Sequence, residues 1–312
     1  MFYESDGLYN DERAYAEEYT LGSTMSGRIE KSNDVDCYKV YLRPGHLKYT
    51  FTVPSGMNYR FKVYREGSSD TDTFICEDDN PCAQTRSGEK EISISEADTY
   101  YICISFHVEN RLFDTQRFYN FRLYYTELTV LNFNQKYNGY EDVVNSSGCA
   151  LCCAADLTSF YKGSTVTVNE LKSPNYSIKD NQSIYYEGSS ICNFDVAKYF
   201  ILTKNSSTSN LFSIVKSEIE SGNPVLLHYN SEFSSAGHWV VAYGYKNSCS
   251  NNSDVYICDP AFTYDTLWGT TDVYYTGNYF TDNLYNNGIT IQQSINDSSI
   301  SSIREIFTVS ER

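Results

Sequence analysis

Positive charge is scarce in this chain of 312 residues: 24 lysines and arginines stand against 40 aspartates and glutamates, for a formal net charge of −16. A field of that sign repels nucleic-acid phosphates and anionic lipid, so neither is expected as a partner. The chain has no run of about eighteen apolar residues, so membrane insertion is not expected. Met1–Asp6 contains no basic segment leading into an apolar one, so no signal peptide is expected within this chain. Histidine is rare, with four in all. The one Cys-x-x-Cys, Cys149 to Cys152, has no second pair or histidine at ligand spacing, so neither a structural zinc nor another cofactor is expected. No internal repeat or low-complexity segment is present.

What is abundant is aromatic and thiol-bearing. Thirty tyrosines and 17 phenylalanines fit pleated, half-buried surfaces and point to much β-structure. With 41% hydrophobic and 21% charged residues, the composition is that of a globular protein, and the length suggests about two domains. Ten cysteines occupy positions 37, 76, 82, 103, 149, 152, 153, 192, 249 and 258. Cys76 with Cys82, and Cys249 with Cys258, each bracket a turn-rich segment that a disulfide could close. If Cys149 stays free, at least one other cysteine is also unpaired.

From Gly7 to Leu128 the chain reads as strands and turns. Asp36–Leu42, Leu47–Val53, Tyr59–Tyr64, Thr99–Ser105 and Phe118–Tyr125 are β-branched or aromatic and mostly alternate with period two. Pro44-Gly45 and Pro54-Ser-Gly56 supply turn chemistry. Several short strands without intervening helices predict an all-β sandwich over residues 1–128. Leu21–Gly27, Asp34–Val40 and Tyr100–Ile102 further resemble the bacterial pre-peptidase C-terminal type of β-sandwich. That resemblance implies an accessory domain able to bind a surface ligand. With the cysteine count, it implies an extracellular or cell-surface place on a bacterium. Asp70, Asp72, Asp78 and Asp79 read as a solvated acidic loop in preference to a calcium site.

Residues 129–312 mix helix and strand. Asn145–Gly148 is a polar turn that runs into Cys149–Tyr161, apolar nearly all round as in a helix buried on every side. Asp195–Leu202 reads as a second helix. Leu211, Ile214, Val215 and Ile219 predict a third, with Ser209 as a cap and Gly222 and Pro224 as the stop. Pro224–Tyr229, Gly237–Tyr245 and Val255–Pro260 then read as strands, and weaker strand signals lie at Val273–Tyr275 and Ile289–Ile291. Helices followed by an antiparallel sheet give an α+β order.

The turn delivers Cys149 to a helix N-terminus, where unpaired N–H groups and partial positive charge favour a thiolate. Cys152 and Cys153 fall deeper in the same helix and read as core. A thiol nucleophile needs a base, a group to orient that base, and donors for the developing oxyanion. His238 begins one strand, and Asp259 ends the next, 21 residues on; paired as a hairpin through Lys246–Asp254, the two fall at the same end of the sheet. Gln135 lies 14 residues before Cys149 and can offer its side-chain amide. His228, within a strand, reads as structural, and His46 and His107 belong to the first domain.

Asn132–Gln135, Ser147–Ala150 with Ala154-Ala155, Gly222–Val225, Gly237–Tyr245 and Val255–Pro260, in that order, resemble the papain-like cysteine peptidases. Within that group they are most similar to the bacteriocin-leader, double-glycine subgroup. The resemblance implies a helix packed on an antiparallel sheet and hydrolysis of a peptide or protein substrate. Cys149 would be nucleophile, His238 base, Asp259 orienting acid and Gln135 oxyanion donor. Leu151 and Cys152 depart from the pattern, and the Ser173–Ser190 loop has no counterpart in it. Two alternatives stand beside it: a non-catalytic surface protein in which the sandwich and an inactive peptidase-like domain bind a peptide or glycan, and a transglutaminase-like acyl transferase that uses the same residues.

Overall fold

A computed structural model describes residues 2–3, 13–31, 33–67, 74–78, 85–87, 91–106, 114–133, 148–171, 199–231, 234–260, 289–291 and 303–312. The chain divides into two compact units, Met1–Leu128 with Glu220–Gly222, and Thr129–Ile219 with Asn223–Arg312.

Among the described residues the first unit contains eleven strands: β1 (Phe2–Tyr3), β2 (Glu17–Glu18), β3 (Met25–Gly27), β4 (Val35–Leu42), β5 (Gly45–Thr52), β6 (Tyr59–Arg65), β7 (Phe74–Asp78), β8 (Thr85–Ser87), β9 (Ile92–Ile94), β10 (Asp98–Phe106) and β11 (Tyr119–Leu128). One sheet runs β2-β4-β10-β6-β7. In the other, β11 pairs with β3 and β5, and β5 also takes β8 and β9. Strand β5 alternates buried and half-buried residues along its whole length, the period of a strand with one face on a core.

Rings from the two sheets interdigitate. Tyr49 of β5 stacks on Phe61 of β6 at 4.6 Å, and Tyr38 of β4 meets Phe121 of β11 at 5.1 Å. This contact between two inner faces is what makes the unit a β-sandwich. Buried tyrosine hydroxyls need partners. Tyr119 donates to Asp36 Oδ2 (2.6 Å) and shares a hydrogen bond with the Tyr38 hydroxyl (2.7 Å). On the outer face of the β4–β10 pair, Cys37 and Cys103 lie directly opposite and form a disulfide, packed with Ala16. Among the described residues, Arg13–Tyr15 forms a 3-10 turn ahead of β2.

The second unit contains α1 (Cys149–Lys162), α2 (Val168–Leu171), β12 (Phe200–Lys204), α3 (Leu211–Glu220), β13 (Val225–Ser231), β14 (Ser234–Tyr245), β15 (Val255–Cys258), β16 (Ile289–Thr290) and β17 (Ile303–Glu311). Its antiparallel strands run β15-β14-β13-β17-β12. Helix α1 packs on β14 and buries every residue from Ala150 to Tyr161. Its end is set by Gly163, whose φ of 70° allows the left-handed cap that returns its N–H to the Ser159 carbonyl at 3.0 Å. Among the described residues no helix is long and apolar enough to cross a membrane.

Two expectations need correction. Phe200–Leu202 is not helical: it lies in β12, paired with Val309–Glu311 of β17, and residues 195–198 lie outside the described residues. A Phe-Ile-Leu-Thr run suits a strand once a partner edge exists, and that edge comes from the C-terminal strand, which the sequence reading did not anticipate. Cys249 and Cys258 are both free thiols. Cys249 sits in the turn and donates to the Phe212 carbonyl. Cys258 pairs with Val241, four residues or roughly 13 Å down the strand from Asp254, and a disulfide tolerates about 7 Å between Cα atoms. The Cys76–Cys82 pairing, the acidic loop around Asp70 and Asp79, and the strand at Val273–Tyr275 lie outside the described residues.

Candidate active site

Helix α1 begins on Cys149 after Gly148, and no side chain caps its first turn. The leading N–H groups are therefore open toward the thiol, and the Ala150 N–H donates to it. Of the three clustered cysteines, Cys149 is the one with solvent access; Cys152 and Cys153 are fully buried. Burial and the nearby Asp156 push both buried thiols well up, which leaves them protonated and inert.

His238 is placed by an irregular strand. Between Tyr229↔His238 and Ser231↔Ser234 the β13–β14 register shifts, and Gly237 takes a φ of 82°. Such a bulge, opened by glycine, re-aims the next side chain. Asp259 follows directly on β15, before Pro260, which has no N–H to extend the ladder. The hairpin between them is pinned by Asp254, whose carboxylate accepts from the Ser250 N–H (2.9 Å), Asn247 Nδ2 (2.8 Å) and Asn251 Nδ2 (2.9 Å). Those hydrogen bonds, led by the Ser250 N–H, hold its pKa below the usual carboxylate range. With the turn fixed, Val241 opposes Cys258, and His238 and Asp259 emerge at the same end.

There His238 Nε2 lies 2.7 Å from Asp259 Oδ1, with both side chains largely buried. That bond leaves Nδ1 for the Cys149 thiol, which is hydrogen-bonded to the ring. Burial on its own would lower the His238 pKa, but the Asp259 charge and hydrogen bond, helped by Cys149, raise it to about 10. Burial would raise the Cys149 pKa, but the His238 hydrogen bond and charge, with the Trp239 and Ala150 N–H groups, bring it below the ordinary thiol value. The arrangement favours a thiolate–imidazolium pair held by a buried carboxylate.

Three of the four residues singled out in the sequence thus meet; Gln135 lies outside the described residues. His228 occupies a separate place. Its Nδ1 is 2.8 Å from Glu305 Oε2, its ring stacks on Trp239 at 4.1 Å, and Glu305 also pairs with Lys204. The sequence reading did not single out Trp239, whose backbone N–H reaches the thiol. Its position next to His238 was the only available signal. Among the described residues no group of three or more His, Cys, Asp or Glu is placed to hold a metal ion.

No curated protein matches the chain. Among solved structures, it is similar to the pre-peptidase C-terminal domain of collagenase from Bacillus anthracis, with 11% identity over 35% of this chain and 93% of that one and a TM-score of 0.28. It is also similar to PliG, a periplasmic inhibitor of g-type lysozyme from Aeromonas hydrophila, with 13% identity over the same shares and a TM-score of 0.27. The Peptidase_C39-like family model matches residues 127–287, just over half of the chain and the part that carries Cys149, His238 and Asp259, and the chain belongs to the Peptidase_C39-like family.

Proposed function

We propose that the protein is a cysteine peptidase of papain-like arrangement that cleaves a peptide or protein substrate. The observation that carries this reading is the unbroken chain from the Cys149 thiol through the His238 ring to Asp259. In the proposed reaction the Cys149 thiolate attacks the scissile carbonyl carbon and the carbonyl electrons move onto oxygen. The Cys149 backbone N–H at the helix start and the Gln135 side-chain amide stabilise that oxyanion. As the tetrahedral intermediate collapses, imidazolium His238 gives its proton to the departing amine, leaving a thioester on Cys149. Water, deprotonated by His238, then attacks the thioester and the thiolate leaves. Asp259 keeps the ring oriented throughout.

The sandwich unit serves as an accessory domain that binds a surface ligand. An extracellular or cell-surface place on a bacterium is supported by the Cys37–Cys103 disulfide, since such bonds persist in oxidising compartments.

The test is hydrolysis of a peptide library by the wild-type chain and by folded Cys149→Ala, read by mass spectrometry, with iodoacetamide labelling alongside. Cleavage lost in C149A, and fast labelling of Cys149 that depends on His238, are expected. Equal cleavage by C149A, or labelling no faster than that of an ordinary thiol, would overturn the proposal.

A further inference from the structure

The mechanism above leaves out His228, although both neighbouring strands grip its ring. That buried ring lies parallel to the ring of its cross-strand partner Trp239, with centroids 4.1 Å apart and planes 3° from parallel. Its Nδ1 lies 2.8 Å from Glu305 Oε2 on the strand at its other side. Burial alone would raise the Glu305 pKa, but hydrogen bonds from Lys204 and His228 hold it below the ordinary carboxylate value. An ionised Glu305 only accepts, so His228 Nδ1–H donates and the plane of the imidazole is fixed. Phe307 flanks the Trp239 ring as well, at 5.7 Å.

The grip lies where the sheet loses its regularity. Strand β13 pairs with β17 in register up to His228↔Glu305 and shifts directly after it, and its pairing with β14 shifts just past Tyr229↔His238. On the other side of β14 the ladder with β15 stops at Val241↔Cys258. Trp239 is thus close to the end of regular pairing on both sides, and its N–H is one of the donors to the Cys149 thiol. Successive strand residues point to opposite faces. The Trp239 side chain is therefore held from the face opposite His238, while the peptide that joins the two residues meets the thiol.

We infer that His228 is a positioning residue of the peptidase site: stacked on Trp239 and hydrogen-bonded to Glu305, it holds the peptide between His238 and Trp239 in place against Cys149. The inference rests on the peptidase reading above. Hydrogen bonding to the charged form of a group favours that form, so a fixed Trp239 N–H helps keep Cys149 a thiolate. If the strand loosens, the donor drifts and that help is lost. His228 acts through the Trp239 backbone, and its ring is locked by packing and by Glu305 as a supporting residue requires.

The test compares H228A, H228F and E305A in the full chain. Three quantities are read: the pH profile of iodoacetamide labelling at Cys149, kcat/KM on the library peptide that the wild type cleaves fastest, and the melting temperature. Alanine removes the plane against Trp239, so H228A should move the midpoint of the labelling profile up by about one pH unit. At a pH below that midpoint its kcat/KM should fall about tenfold. Phenylalanine restores the plane, and H228F should keep the wild-type midpoint and a kcat/KM within about threefold of wild type. E305A frees the ring from its anchor and should move the midpoint in the same direction as H228A. A melting temperature that falls in H228A while the midpoint stays in place would make the cluster a purely structural brace and overturn the inference. An H228F that labels like H228A would overturn it too. Should H228A not fold, E305A takes its place, and a midpoint equal to that of wild type overturns the inference. Labelling reads the thiol without turnover, so failure of the peptidase reading shows separately, as turnover that survives C149A.

Discussion

Replacing Asp259 with Ala removes the acceptor that holds His238 Nε2 at 2.7 Å while leaving the helix that bears Cys149 intact. The strongest influence on His238 is burial, which lowers its pKa; Asp259 is what outweighs it and brings the value to about 10. A hydrogen bond to a charged group is worth about 1.5–3 kcal/mol, and one pKa unit is about 1.4 kcal/mol, so His238 should fall by about one to two units. The Cys149 thiol then rises, because the imidazolium that lowered it is less populated. In turnover, the same loss corresponds to about a 10- to 100-fold fall in kcat/KM. The assay is the pH profile of iodoacetamide alkylation at Cys149 together with thiolate ultraviolet absorbance. Wild type should hold its ion pair from the lowered thiol pKa up to about pH 10, and D259A over a window narrowed from both sides. Asp259→Asn keeps an acceptor oxygen without the charge and should lie between the two. A D259A profile that superimposes on that of wild type would refute the idea that Asp259 sustains the pair.

Three further outcomes follow from the packing. Replacing Cys37 and Cys103 with Ala opens a loop of 66 residues and should cost the sandwich unit about 4 kcal/mol on the chain-entropy relation; an unmoved denaturant midpoint would contradict this. Tyr119→Phe deletes the hydroxyl that donates to Asp36 and meets Tyr38, and should destabilise the same unit by about 1–3 kcal/mol, as calorimetry can read. The third concerns Asp156, whose raised pKa in the folded chain means that its contribution is fully present below the ordinary carboxylate pKa and is lost as pH rises toward the folded value. D156N should therefore be more stable than wild type at neutral pH. That advantage should shrink as pH falls toward the ordinary carboxylate range, and thermal melts across pH that show a constant difference would exclude it.

What was legible in the sequence is what neighbouring residues spell out. The sandwich strands could be read because Tyr, Phe and Val alternate on a two-residue period, and β5 keeps that alternation from Gly45 to Thr52. Helix α1 could be read because a polar turn ends where Cys149 begins an unbroken apolar run. His238 and Asp259 could be related because a single hairpin joins them, and its turn is held by Asp254 from within. The missed features depend on residues remote in sequence. Phe200–Leu202 became a strand because β17 pairs with it across more than a hundred residues. Cys37 and Cys103 met because two strands 66 residues apart fell into register. Asp156 is one polar residue in an apolar run, and its partner, the Phe133 N–H, lies 23 residues away in the chain. The meeting of His238 with Asp259 was therefore easier to read than the fold around it: both residues come from one local hairpin, and with only four histidines in the chain the choice of candidate base was narrow. The positions that hold that site in place are long-range contacts, which a linear reading does not contain.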